Sequence, residues 1–175
     1  MKRILITGGA GFIGSHLTDK LLKQNNQILC IDNFDPFYDI LEKKRNIADN
    51  LKNINFQFVE NDLRNETKVI QTIVEFNPDI IIHLAAKAGV RPSVISPEEY
   101  INNNVIGTLN ILKAIKEVNN CKLIFASSSS VYGSNDKTPF NENDPVNQPI
   151  SPYAASKIGA ESLCHTFAKL FNIST

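Results

Sequence analysis

The 175-residue sequence has no excess charge of either sign, 18 basic residues against 18 acidic ones, and no long run of one sign. It offers no broad field to draw in nucleic acid or an anionic membrane surface, so a small molecule is the expected partner. Cysteine is scarce. Cys30, Cys121 and Cys164 are widely spaced, odd in number and flanked by apolar residues, which argues against metal or catalytic use and reads as reduced core thiols of a cytoplasmic protein. Long hydrophobic runs are missing too. The opening Met1-Lys2-Arg3-Ile4-Leu5-Ile6-Thr7 reaches glycine after a short apolar stretch, too brief for a secretory signal, and no segment approaches the ~20 residues of a membrane span. No internal repeat is visible, and the serines Ser127 to Ser130 are the one low-complexity patch.

What is present is a core-forming chain. At 42% hydrophobic, it suits one domain that buries roughly 70% of its unfolded surface. Short β-branched runs at 3–7, 27–32, 56–60, 79–83 and 122–126 read as strands, apolar on both faces as in a buried parallel sheet. Helical patterns at 12–24, 38–50, 66–76, 98–119 and 152–171 separate and follow them. The expected architecture is α/β, a doubly wound parallel sheet of five strands, with residues 1–175 forming one nucleotide-binding domain. Pro139, Pro145, Pro149 and Pro152 punctuate a polar loop before the last helix.

Between the first strand and first helix lies Thr7-Gly8-Gly9-Ala10-Gly11-Phe12-Ile13-Gly14. It fits GxGxxG through Gly9, Gly11 and Gly14, and GxxGxxG through Gly8, Gly11 and Gly14. Such a turn brings backbone N–H groups close to a pyrophosphate at a helix N-terminus, where a Cβ would obstruct the approach. Alone it could be a structural turn. Asp32, however, ends the second strand where a ribose-binding acid belongs. That carboxylate would repel a 2′-phosphate, and no Lys or Arg follows it until Lys43, so the expected cofactor is NAD rather than NADP.

Tyr153 and Lys157 stand at i and i+4 near the start of the last helix and share a face. A phenol ionises near pH 10, and an adjacent ammonium stabilises the phenolate, making a usable general base. The serine run follows the fifth strand, whose C-terminal end opens on the ligand crevice of a doubly wound sheet. A hydroxyl there can hydrogen-bond the oxygen whose proton Tyr153 moves.

At these residues the sequence resembles the extended short-chain dehydrogenases/reductases, and among them the NAD-dependent nucleotide-sugar epimerases. The glycine motif, Asp32, the pair Asp62-Leu63, the segment His83-Leu84-Ala85-Ala86 and Tyr153/Lys157 occur in the family's order, and the likeness covers essentially the whole chain. Similarity is greatest to the UDP-glucuronate 4-epimerases, through Asp32 to Asp39, Ala86 to Arg91 and Pro149 to Lys157. Lys87 departs from that subgroup's pattern, which has glutamine there. The resemblance implies Ser128, Tyr153 and Lys157 as catalytic residues. It implies cofactor contacts at Gly8, Gly11, Phe12, Ile13, Gly14, Asp32, Asn33, Asp62, Leu63, Leu84, Ala85, Ala86, Asn103, Ser127, Tyr153 and Lys157. Lys87, Arg91, Ser129 and Ser130 are the candidate substrate contacts.

The implied reaction is epimerisation at C4 of a UDP-sugar, UDP-glucuronate favoured, through a transient 4-keto sugar. Dehydratases of the wider family carry acidic residues where Ser129 and Ser130 stand here, which favours plain oxidation and return. A UDP-glucose/UDP-galactose 4-epimerase, a related dehydratase and a non-catalytic NAD-binding or protein-interaction chain remain the alternatives. Arg91 suits a substrate carboxylate or diphosphate and equally a solvated surface. His83 reads as a satisfied strand-end histidine. His16 and His165 lack partners at metal-binding spacing. Full-length members that this chain resembles form homodimers and continue into a sixth strand and a smaller substrate domain. The chain is therefore expected to end before that strand, leaving the fifth strand's edge bare and prone to self-association.

Overall fold

The computed structural model describes residues 1–175. Five parallel strands form one sheet: β1 (Arg3–Thr7), β2 (Gln27–Asp32), β3 (Phe56–Glu60), β4 (Ile80–His83) and β5 (Lys122–Phe125), in spatial order β3-β2-β1-β4-β5. The chain runs outward from β1 to β3, then returns to the other side of β1 for β4 and β5. This is the Rossmann-like doubly wound arrangement.

Alternation along each strand feeds two cores. Ile4 and Ile6 of β1, with Ile28 and Cys30 of β2, face one cluster, closed by Leu22 of α1 (Phe12–Lys23) and Ile47 of α2 (Ile40–Ala48). Leu5, Leu29, Ile31, Ile81 and Leu123 face the other. There they pack on Val69 and Ile73 of α3 (Glu66–Phe76), Ile111 and Ile115 further along, and Cys164 of the last helix. The three cysteines are free and buried. Burial pushes the thiols of Cys121 and Cys164 up to about 11. No helix is long and apolar enough to cross a membrane.

The segment expected as one helix over 98–119 is broken into three pieces. A short helix α5 (Pro97–Tyr100) leads into a π-helical stretch, Ile101–Ile106, and then α6 (Gly107–Ile115). Apolar periodicity does not register the extra residue of a π turn, and such turns often accompany functional sites. A further helix, α4 (Val90–Ile95), lies where none was expected. Pro92 falls in its first turn, where proline removes no helical hydrogen bond.

The last helix, α7 (Pro152–Phe171), begins where the sequence predicted. Ser151 Oγ accepts from Ala154 N–H at 3.1 Å, and Pro152 occupies the first helical position. The edge of β5 is not bare: Ser174 bridges Lys122 in parallel, and Leu123 N–H donates to Ser174 O at 2.8 Å. The expected unpaired edge is thus partly covered, because Asn172 takes a left-handed conformation (φ 55°) that ends α7 and turns the chain back along β5.

Candidate active site

The strand order diverges at β1, and a crevice opens there because the loops after β2 and β4 leave in opposite directions. It is a cleft of about 390 Å³. Gly8 turns the chain at its floor with φ 72°, and a Cβ there would stand 2.8 Å from Ala85 N. Gly8, Gly11 and Gly14 line the cleft, whereas a Cβ on Gly9 would meet Cys30 Sγ at 2.3 Å on the core side. The structure thus selects the GxxGxxG reading. α1 starts at Gly11 with no side-chain cap, so its first N–H groups and the positive end of its dipole are left for a ligand.

On the β2 side, Asp32 is buried. Its Oδ2 accepts from Ala10 N–H at 3.2 Å and its Oδ1 from Phe34 N–H at 2.9 Å. Asp62 accepts a forked pair from Arg64, Nε at 3.0 Å and Nη2 at 2.6 Å, which holds its carboxyl below the usual range. Lys43 also lines the cleft, with Nζ 4.7 Å over the Tyr38 ring. Distance in sequence had set this cation apart from Asp32. α2 folds it back into the same cleft.

On the β4 side, Leu84, Ala85, Ala86, Lys87 and Asn103 form the wall. Beneath them His83 is fully buried and bonded on both sides, Nδ1 to Thr7 Oγ1 at 2.7 Å and Nε2 to Thr108 Oγ1 at 3.0 Å. Thr108 spends its proton on Asn104 O at 2.6 Å, so it must accept from Nε2–H, and Nδ1 accepts from Thr7. Burial, then the charge of Lys157, pushes the imidazole down to about 3. His83 is a neutral structural link, as its strand-end position suggested. Asn104 extends the link: its Oδ1 accepts from Lys87 N–H at 2.7 Å, and its Nδ2 donates to Lys87 O at 3.0 Å and Ser156 Oγ at 2.9 Å.

Beyond the wall, β5 and α7 carry the remaining candidates. Lys157 Nζ donates to Ala126 O at 2.6 Å and lies 4.2 Å over the Phe125 ring. Burial pushes it down to about 8. Tyr153 is half-buried in the first turn of α7, edge-on to Tyr100 with ring centroids 6.1 Å apart. The serine run is no loose loop. Ser128 caps a 3₁₀ turn over Ser129–Tyr132, accepting from Ser130 N–H at 3.2 Å, and that turn packs on α7.

The fold therefore brings Gly8, Gly11, Phe12, Ile13, Gly14, Asp32, Asn33, Asp62, Leu63, Leu84, Ala85, Ala86 and Asn103 to one cleft, joined by Lys87. Ser128, Ser129, Ser130, Tyr153 and Lys157 lie outside its lining, on the β5–α7 side. Ser127 opens instead on a groove beside β5 with Glu161, Cys164 and His165. Arg91 is exposed in the first turn of α4. Sequence reasoning missed Asp35, Phe37, Tyr38, Lys43 and Asn61 as cleft residues. The signal for the first three was the segment Asp35-Pro36-Phe37-Tyr38, noted only as a subgroup resemblance.

The chain is 42% identical over 176 residues to the CapI protein of Staphylococcus aureus, covering 99% of this chain and 52% of that one. To a UDP-glucuronate 4-epimerase of Thermodesulfobacterium geofontis it is 41% identical, covering 97% and 52%. Among solved structures, the UDP-glucuronic acid 4-epimerase of Bacillus cereus, in complex with UDP-glucuronic acid and NAD, superposes with a TM-score of 0.86 at 38% identity, covering 98% of this chain and 54% of that one. The chain spans about half the length of the curated relatives it matches. The family model for GDP-mannose 4,6 dehydratase matches residues 5–175, and the chain belongs to that family, within the extended short-chain dehydrogenases/reductases.

Proposed function

We propose that the cleft holds NAD and that this chain supplies the cofactor-binding and catalytic part of a nucleotide-sugar 4-epimerase, with UDP-glucuronate as substrate. The observation that carries the reading is the placement of the glycine turn, the uncapped start of α1 and Asp32 around one cleft at the switch point of the sheet. The residues fit the cofactor. The glycines leave room for a pyrophosphate, Asp32 is an acceptor for ribose hydroxyls, and two buried atoms without protein partners, Tyr38 Oη and Asn61 Nδ2, belong to residues of the same cleft. The NAD bound to the Bacillus cereus relative supports NAD over NADP.

NAD, when bound, supplies an acceptor and donor of hydride at the sugar carbon. The chain's own part is to bind, orient and move a proton. Tyr153 takes the proton from the sugar hydroxyl and returns it, Lys157 one turn on holds its ammonium on Ala126 O beside β5, and Ser128 hydrogen-bonds the same sugar oxygen. With its acidity near pH 8, Lys157 remains mostly cationic at neutral pH. Serines at 129 and 130 leave no carboxylate there to assist elimination of water, which supports epimerisation over dehydration. UDP-glucuronate is favoured by the named relatives at 37–41% identity over nearly the whole chain.

The test is incubation of a form of the chain that carries the substrate domain of its full-length relatives with NAD and, separately, UDP-glucuronate and UDP-glucose, with products identified by proton NMR, beside a calorimetric NAD titration; the 175 residues alone are expected to show no measurable turnover. Conversion of UDP-glucuronate to its C4 epimer is expected. A 4-keto-6-deoxy product would overturn epimerisation, and absence of NAD binding would overturn the reading of the cleft.

A further inference from the structure

One charged group in the cleft has no place in this chemistry. Lys87 follows β4, and its backbone is pinned on both sides by Asn104, so only its side chain is free to move. Its Nζ pairs with Glu99 of α5 and lies 3.6 Å from Asp35 Oδ2 in the loop after β2. Asp35 is itself aimed: its Oδ1 accepts from Phe37 N–H at 3.0 Å, which leaves Oδ2 toward the lysine. The Lys87 and Asp35 side chains are 24% and 26% exposed, shielded enough for their attraction to outweigh that of an open surface pair.

Topology gives this contact its meaning. In the sheet β1 lies between β2 and β4. A bridge from the loop after β2 to the loop after β4 spans the position of β1, after which the glycine turn lies. A dinucleotide laid across that turn beneath the bridge could leave at neither end without disturbing it.

We infer that Lys87 is a positioning residue that retains the cofactor, a cationic clasp joining Asp35 and Glu99 across the mouth of the dinucleotide cleft. This rests on the reading of the cleft given above. Such a clasp suits a reaction that leaves its cofactor in the starting redox state, since nothing is gained by exchange. Glutamine, which the resembling subgroup carries at this position, cannot form it, so Lys87→Gln is expected to fold.

The experiment is stopped-flow binding of NADH to the wild-type protein and to Lys87→Gln, Lys87→Arg and Asp35→Asn, following nicotinamide fluorescence on mixing and on chase with excess NAD. A clasp slows passage in both directions. Lys87→Gln and Asp35→Asn should each raise the association and dissociation rates together, by about fivefold, with little change in affinity. Lys87→Arg should keep the wild-type rates. Raising the salt should accelerate exchange in the wild type and far less in Lys87→Gln. Unchanged rates in both neutral variants, or exchange in the wild type that ignores salt, would overturn the clasp. A rise in dissociation alone would show that Lys87 grips the cofactor directly, which also overturns it. If the wild type fails to bind NADH at all, the cleft assignment itself falls, and the clasp with it.

Discussion

In the cleft beside β1, the charged side chains of Asp32 and Lys87 are tied to distant parts of the chain, whereas the Ser128 hydroxyl beside β5 is held by its immediate neighbour. Asp32 accepts from Ala10 N–H as well as from nearby Phe34 N–H, and Lys87 ties the loop after β4 to Asp35 in the loop after β2 and to Glu99 of α5. Ser128, by contrast, accepts from Ser130 two residues on, and the outer edge of β5 is met by Ser174 with Ile124 left 45% exposed. One region is preorganised for its ligand. The other has its groups in place, but its outer edge is met at Ser174 alone. Binding of the cofactor should therefore be a property of the first region that survives damage to the second.

The largest expected break is Gly14→Ala. Its Cβ would stand 2.3 Å from Gly8 O and 2.6 Å from Gly9 Cα, backbone that cannot step aside. A loss of about 3 kcal/mol or more of stability, with no NAD binding, is expected from denaturant melts and titration. Gly11→Ala meets nothing closer than 3.2 Å, so the fold should survive while binding is lost. Equal destabilisation by the two would erase the distinction between a packing glycine and a ligand-facing one.

Next in size come the chemical groups. In a form of the chain that carries the substrate domain, Tyr153→Phe and Ser128→Ala should each lower epimerase turnover by roughly 10²-fold or more with NAD affinity unchanged, and Ser129→Ala should cost less. Steady-state kinetics beside NAD titrations check this. Weakened cofactor binding in Tyr153→Phe would show that the two regions are one.

Asp32→Ala should weaken NAD by about 1–3 kcal/mol, the cost of leaving ribose hydroxyls unpaired. Calorimetric titration measures it, and unchanged affinity would remove Asp32 from the cofactor site.

The smallest effect is a gain. Burial lowers Lys157 from 10.5 to about 8. Below pH 8 folded and unfolded chains both hold the proton, and the folded chain bears the cost of the buried charge. Between pH 8 and 10.5 the folded chain releases it first, so stability rises with pH. Lys157→Met should therefore be more stable at pH 7 by ~1–2 kcal/mol, a rise of roughly 2–8 °C in Tm, and should lose the upward trend above pH 8. Thermal melts across that range test it, and a destabilised variant would mean that the bond to Ala126 O outweighs the burial.

The sequence by itself determined the alternation of strands and helices, the glycine turn, Asp32 and the start of α7. Each is written in a few consecutive residues: short runs apolar on both faces, a turn that tolerates no Cβ, and Pro152 at the start of the last helical pattern. Periodicity also failed locally, at the π turn of Ile101–Ile106 and at α4, because an added helical residue and a first-turn proline leave no trace in an apolar pattern. Tertiary structure alone decided which glycines face the ligand, since Gly8 and Gly9 each fit a phosphate-loop spacing and are told apart by Gly8's φ of 72° and place in the cleft opposite Ala85, with Gly9 turned to Cys30. It alone returned Lys43 to the cleft, set the proton on His83 Nε2, and joined Lys87 to Asp35 and Glu99. Those contacts link segments whose separation along the chain carries no information about their separation in space. The crossing of the chain from β3 back to β4 brings Lys87 to Asp35 and His83 to Thr7, and α2 folds Lys43 back to the cleft.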